Sequence, residues 1–165
     1  MVEVRLSAVR VDLHSNTPVL LLEETGGAHR ILPVFVGIPE ATAIALVLQG
    51  ISTPRPMTHD LIVDFFNALG VKIESVIITE LQSATFYADI YLNAFGTVHA
   101  ISARPSDAVA IAVRTDTPLY VADDLMDSEG MILNLNDDEG EDDSDELVGQ
   151  FRQFLNEVKP EDFTS

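Results

Sequence analysis

Residues 97–116, TVHAISARPSDAVAIAVRTD, change character halfway. The first seven have the length and composition of a short strand, and from Arg104 onward the chain reads as an alanine-rich helix opened by Pro105, a residue suited to a first helical turn. The same succession occurs at 31–49, ILPVFVGIPEATAIALVLQ. At an offset of 66, Pro39 falls on Pro105, strand on strand and helix on helix. Residue identity between the two segments is low, so the order of elements carries the comparison.

Working outward, each segment is preceded by two more strands. Residues 2–13 alternate Val2, Val4, Leu6 and then shift phase to Val9, Val11, Leu13, the pattern of a strand with a bulge near Ser7 and Ala8. PVLLLEE at 18–24 and RILPVFV at 30–36 follow, separated by a turn with paired glycines. In the second half the strands are VKIESVIITEL (71–81), ATFYADIYLN (84–93) and TVHAISA (97–103), and PLYVAD is a short final one. Between the halves, RPMTHDLIVDFFNALG predicts a helix with Thr58 as cap, an apolar stripe of Leu61, Ile62, Phe65, Phe66 and Leu69, and Gly70 at the left-handed closing position. The expected fold is therefore α+β: a duplicated β3-α arrangement with a mostly antiparallel, barrel-like sheet of six or seven strands packed with helices.

The 165 residues suffice for one domain with a real core, and 47% of them are apolar. The formal net charge is nevertheless -18. Half of it, -9, sits in residues 137–165. This divides the chain into a domain at 1–134, an acidic disordered linker at 135–146 and a short C-terminal helix or tail at 147–165, where Leu147, Phe151, Phe154 and Leu155 share a face. The acidic block does not spell a calcium loop, because placing Gly140 at the sixth position puts Leu135 at the first. Its expected role is contact with a basic partner.

Cysteine is absent, so disulfides and thiolate ligands are excluded. The longest apolar runs, such as AIALVL at 43–48, fall well short of the roughly 18 residues of a membrane span. No basic, apolar leader pattern opens the sequence, and a cytoplasmic location without a membrane role is expected. Serine-hydrolase elbows, P-loops and zincin motifs are missing as well.

What stands out is Arg-Pro twice. Arg55 and Arg104 each precede a proline and then a helix whose first turn carries an aspartate, Asp60 or Asp107, where a carboxylate complements the helix dipole. His59 lies beside Asp60, in a positive field that favours the neutral imidazole able to accept a proton or bind a metal. Asp60 and Asp64 are one turn apart and could hold Mg²⁺ through waters; Glu40, after Pro39, occupies an equivalent helix start.

RPMTHDL at 55, TFYA at 85 and SARPSDA at 102, in that order, resemble the bifunctional nuclease (BFN) domain family, as does the segment PVFVGIPEATAIAL. The resemblance covers about residues 1–134. It implies cleavage of DNA and RNA, a duplicated β3-α fold with a barrel-like sheet, and a homo-oligomer, often a dimer. The polar residues that match are Arg55, Thr58, His59 and Asp60, then Arg104, Ser106 and Asp107. QSATFYA departs from relatives in carrying alanine before the strand motif, and its AFG loop is short.

Two readings follow. In the first, a metal-assisted nuclease uses His59 as base or ligand, Asp60 and Asp107 with Asp64 and Glu40 to hold Mg²⁺ or Mn²⁺, and Arg55 and Arg104 to clamp the phosphate. In the second, a noncatalytic homo-oligomeric regulatory or small-anion-binding module uses the two arginines as an internal ionic clasp. Only nine basic residues, without an aromatic-interleaved basic patch, argue against extensive nucleic-acid contact.

Overall fold

The computed structural model describes residues 1–13 and 15–132. The acidic block at 135–146 and the segment at 147–165, with the roles expected of them, lie outside the described residues. So does His14.

The fold is α+β. Three strands, β1 (Val2–Asp12), β2 (Thr17–Glu24) and β3 (Ile31–Phe35), lead into α1 (Ile38–Leu48) and α2 (Thr58–Leu69). Three more, β4 (Lys72–Gln82), β5 (Thr85–Ala94) and β6 (Thr97–Ala103), lead into α3 (Pro105–Thr115), β7 (Leu119–Val121) and α4 (Asp123–Glu129). All seven strands form one sheet in the order β3-β2-β1-β7-β4-β5-β6. Every pairing is antiparallel except β4 with β7. Short β7 lies between β1 and β4 and so joins the two meanders.

Each meander runs into a helix. The sheet, however, is open and not closed into a barrel: among the described residues β3 pairs along its length only with β2, and β6 only with β5. At the β3 edge, Pro33 has no N–H to give a further strand, which suits an edge position. An isolated bridge from Ile31 to Met131 covers one end of that edge. The phase shift in the first strand is a real irregularity, since the β1–β2 register slips between Leu6 and Ala8.

The core lies between the sheet and the alanine-rich helices. Ala41, Ala43 and Ala45 of α1 and Ala108, Ala110 and Ala112 of α3 are all buried. Side chains this small let two helices and the sheet approach closely while Ile44, Val76, Ile78 and Val109 fill the space between. The helical stripe expected on α2 is only half used. Ile62 and Phe66 pack on the core, while Leu61, Phe65 and Leu69 are exposed. The helix lies at the rim, so one flank of its apolar face meets the protein and the other does not.

The expected cap is corrected. Met57, not Thr58, precedes the first turn of α2, and Arg104 occupies that place in α3, with Ser106 buried inside the helix. Gly70 closes α2 at φ 68°, in the left-handed region that glycine adopts without penalty. The seven-residue α4 was not legible in the sequence. No helix among the described residues is long and apolar enough to cross a membrane.

Candidate active site

Three helix starts converge. Glu40 in α1, His59 and Asp60 in α2, and Asp107 in α3 all lie in first turns, where the unpaired N–H groups and the dipole favour negative charge.

The start of α2 is pinned first. Asp60 Oδ2 accepts the Met57 backbone N–H at 2.8 Å, which closes the first turn and fixes the backbone of His59 within it. Asp60 Oδ1 accepts Nε–H of Arg114 at 2.6 Å. Arg114 also donates to the carbonyls of Ala110 at 2.8 Å and Ala43 at 3.0 Å, and its side chain is 6% exposed. One guanidinium therefore ties α1, α2 and α3 together. Burial pushes the Asp60 carboxyl up, but the Arg114 and Met57 hydrogen bonds outweigh it and hold the group below its ordinary 3.8.

His59, itself buried, reaches across to α3. Its Nε2 lies 3.0 Å from Asp107 Oδ1. Asp107 is also clasped by Arg104, through Nε to Oδ2 at 2.7 Å and Nη2 to Oδ1 at 3.1 Å. Burial raises the Asp107 carboxyl, yet Arg104 and then His59 hold it below 3.8, so Asp107 is ionised near neutral pH. An ionised carboxylate only accepts, so Nε2 of His59 must carry the proton. In the neutral imidazole that leaves Nδ1 with the basic lone pair.

Arg104 Nη2 also donates to Glu40 Oε1 at 2.8 Å, joining α3 to α1. These carboxylates raise the Arg104 guanidinium above its ordinary range, with Asp107 the larger influence. Among the described residues none of its hydrogen bonds uses Nη1, and the side chain is 67% exposed. Gly37, just before α1, is shaped to this arrangement: a Cβ there would run into the Glu40 carboxylate.

The structure thus brings together His59, Asp107, Arg104 and Glu40 on one cleft of about 660 Å³, whose apolar wall includes Ile62, Phe66, Ile90 and Ile101. Thr58 lines it too. Asp60 turns instead to Arg114, on the side of a separate cleft. Asp64 is exposed on α2, and the Arg55 guanidinium, also exposed, makes no ion pair or hydrogen bond among the described residues. Arg55 is joined to its surroundings through its carbonyl, which accepts from Thr53 Oγ1 at 2.6 Å.

The expected divalent-ion site meets a difficulty of arrangement. No group of three His, Cys, Asp or Glu side chains among the described residues is placed to share an ion. Asp107 and Glu40 both already hold Arg104, and Asp60 has both oxygens engaged. The donor set as it stands fits a guanidinium and not a resident Mg²⁺ or Mn²⁺.

Arg114 is the residue that sequence reasoning missed. It is the one charged side chain between Asp107 and Asp116 in an otherwise small and apolar helix, a position where a base needs a buried carboxylate for company.

The fold and this cluster define an α+β protein with carboxylates, an imidazole and an arginine gathered at converging helix starts. The chain belongs to the bifunctional nuclease domain family, whose model matches residues 19–134. It is 44% identical to an uncharacterized protein of Mycobacterium tuberculosis over 165 residues, 99% of this chain and 98% of that one. It is also similar to bifunctional nuclease 1 of Arabidopsis thaliana, at 25% identity over 69% of this chain, and to bifunctional nuclease 1 of Oryza sativa subsp. indica, at 27% over 62%. The match spans only 36% and 32% of those plant proteins.

Proposed function

We propose that the chain hydrolyses phosphodiester bonds of nucleic acid, with His59 as general base, Asp107 as the group that orients it, and Arg104 as the cation facing the phosphate. The observation that carries this reading is the shared Oδ1 of Asp107, bonded at once to His59 and to Arg104. A carboxylate that fixes the tautomer of an imidazole and stabilises its protonated form is a recurring device of general-base catalysis. In the step envisaged, water loses a proton to His59 Nδ1 as its oxygen bonds to phosphorus. The bond from phosphorus to the ester oxygen breaks, and the leaving alkoxide takes a proton from solvent. Arg104 Nη1 offers hydrogen bonds to the phosphoryl oxygens as charge builds there.

Metal assistance is a separate part of the proposal. It would require Arg104 to give up Glu40 and Asp107 to a divalent ion, which when bound would neutralise phosphate charge. Cleavage in chelator, set beside cleavage with Mg²⁺ or Mn²⁺, separates that case from chemistry run by Arg104 itself.

The test is purified protein on DNA and RNA. His59→Ala and Asp107→Ala should each reduce cleavage by about a hundredfold or more, the usual size of a general-base contribution. Cleavage undiminished in both variants would assign the activity to a contaminant.

The noncatalytic reading is favoured by one observation: Arg104 joins α1 to α3 as an ionic clasp would. Such a module, binding a small anion, would show no cleavage and would melt lower in Arg104→Ala. Either way, the exposed Leu61, Phe65 and Leu69 of α2 and Val98 and Ile101 of the edge strand β6 offer a surface for the expected homodimer. Phe65→Glu would then lower the mass measured by light scattering. The acidic tail and its basic partner belong to the proposal as an expectation from charge alone.

A further inference from the structure

A second cleft, of about 360 Å³, also has Arg104 in its lining. Its lining comes from both halves of the fold: Phe35 at the end of β3 and Gly37 just after it, Thr85 and Phe86 at the start of β5, and Arg104 with Ser106. Phe35 is 56% exposed although it is a large aromatic, and Phe86 is half-buried against the core. Arg104 lines both clefts, so a strand whose phosphate met its guanidinium would have a neighbouring base within reach of the two phenyl rings.

Charge makes the same point independently. Arg5, Arg30, Arg104 and Arg114 are all committed to carboxylates of this chain. Arg104 is the only Lys or Arg among the described residues lining either cleft. Nucleic-acid affinity ordinarily comes from several basic residues displacing counterions along the phosphate backbone, and the lining of these two clefts offers only one such residue. What remains is contact with the bases, whose faces a duplex hides in its own stack and a single strand presents to aromatic side chains.

Resting on the reading above, we infer that the cleft of Phe35 and Phe86 takes one unpaired nucleobase, and that the substrates are therefore single strands held by stacking beside Arg104. DNA and RNA share this chemistry, because every base has a π face.

Fluorescence anisotropy with labelled short oligothymidylate, oligouridylate and a duplex tests it. Both single strands should bind and the duplex far more weakly. The salt dependence should be shallow, with a logarithmic slope of about -0.7, that of one phosphate contact on a single strand. Phe35→Ala should weaken single-strand binding about tenfold, Phe35→Trp should keep it, and Phe95→Ala, at the distant exposed hairpin tip, should change nothing. A strand carrying 2-aminopurine should lose fluorescence on binding the wild-type protein, a readout that needs no variant to fold. Equal affinity for the duplex, a steep salt slope, or unchanged binding and quenching would overturn the inference. The two proposals fail differently. Stacking without cleavage removes the catalytic reading alone, and single-strand cleavage with the same KM in Phe35→Ala removes the base subsite alone.

Discussion

Arg104 and Arg114 stand at the two ends of α3, and each bonds the first-turn aspartate of a helix, Asp107 or Asp60. The chemistry of the two pairs is the same, but their surroundings differ. Arg114 is 6% exposed and has every nitrogen engaged, two of them by backbone carbonyls. Arg104 is 67% exposed, has Nη1 unused among the described residues and faces a cleft. Burial therefore separates the clasp from the candidate catalyst: the inner pair ties the start of α2 to the middles of α1 and α3, and the outer one can exchange a protein partner for a ligand.

The largest difference between the two should appear in stability. Arg114→Ala takes a donor from Asp60 and from two carbonyls, and losing a hydrogen bond to a charged, partly buried group costs about 1.5 to 3 kcal/mol. Urea unfolding should show it as a large fall in midpoint, whereas Arg104→Ala should cost about 1 kcal/mol or less, as exposed pairs do. Equal losses would mean that Arg104 is also structural.

Acid should distinguish wild type from a variant next. Asp60 and Asp107 both have carboxyls held below 3.8 in the folded chain. The stability they contribute is fully present above that value and is lost as pH falls through their lower folded values. Urea midpoints taken toward pH 3 and below should drop in the wild type, and Asp60→Asn should show less of that drop. The same acid dependence in the variant would mean that other carboxylates set it.

The smallest effect concerns Gly37. In Gly37→Ala the new methyl displaces the Glu40 carboxylate from Arg104, with no backbone strain because φ is -72°. The expected cost is within about 1 kcal/mol, readable as a slight fall in melting temperature. A loss as large as that of Arg114→Ala would show Glu40 to be structural.

Much of this was legible in the sequence because it is local. Alternation in β1 marks both the strand and its bulge, Pro39 and Pro105 mark helix starts, and Gly70 marks a helix end. The family resemblance, carried by RPMTHDL, TFYA and SARPSDA, agrees with the matched family model. The partner of each charge was not legible, because partners are set by tertiary distance. Asp60 and Asp107 look alike in their motifs, yet one meets Arg114, 54 residues away, and the other meets His59, 48 residues away. Nor could a helical stripe reveal that α2 lies at the rim and leaves Leu61, Phe65 and Leu69 uncovered. Closure of the sheet was likewise beyond local pattern, since it depends on whether β3 and β6 meet.

If His59 and Asp107 act as one catalytic unit, their effects on cleavage must not add. The decisive measurement is a double-mutant cycle of His59→Ala and Asp107→Asn, read as kcat/KM on single-stranded DNA. The expected result is that the double variant is scarcely slower than His59→Ala alone, as for residues that work through one another. Losses that multiply, or an Asp107→Asn enzyme as fast as the wild type, would contradict the assignment.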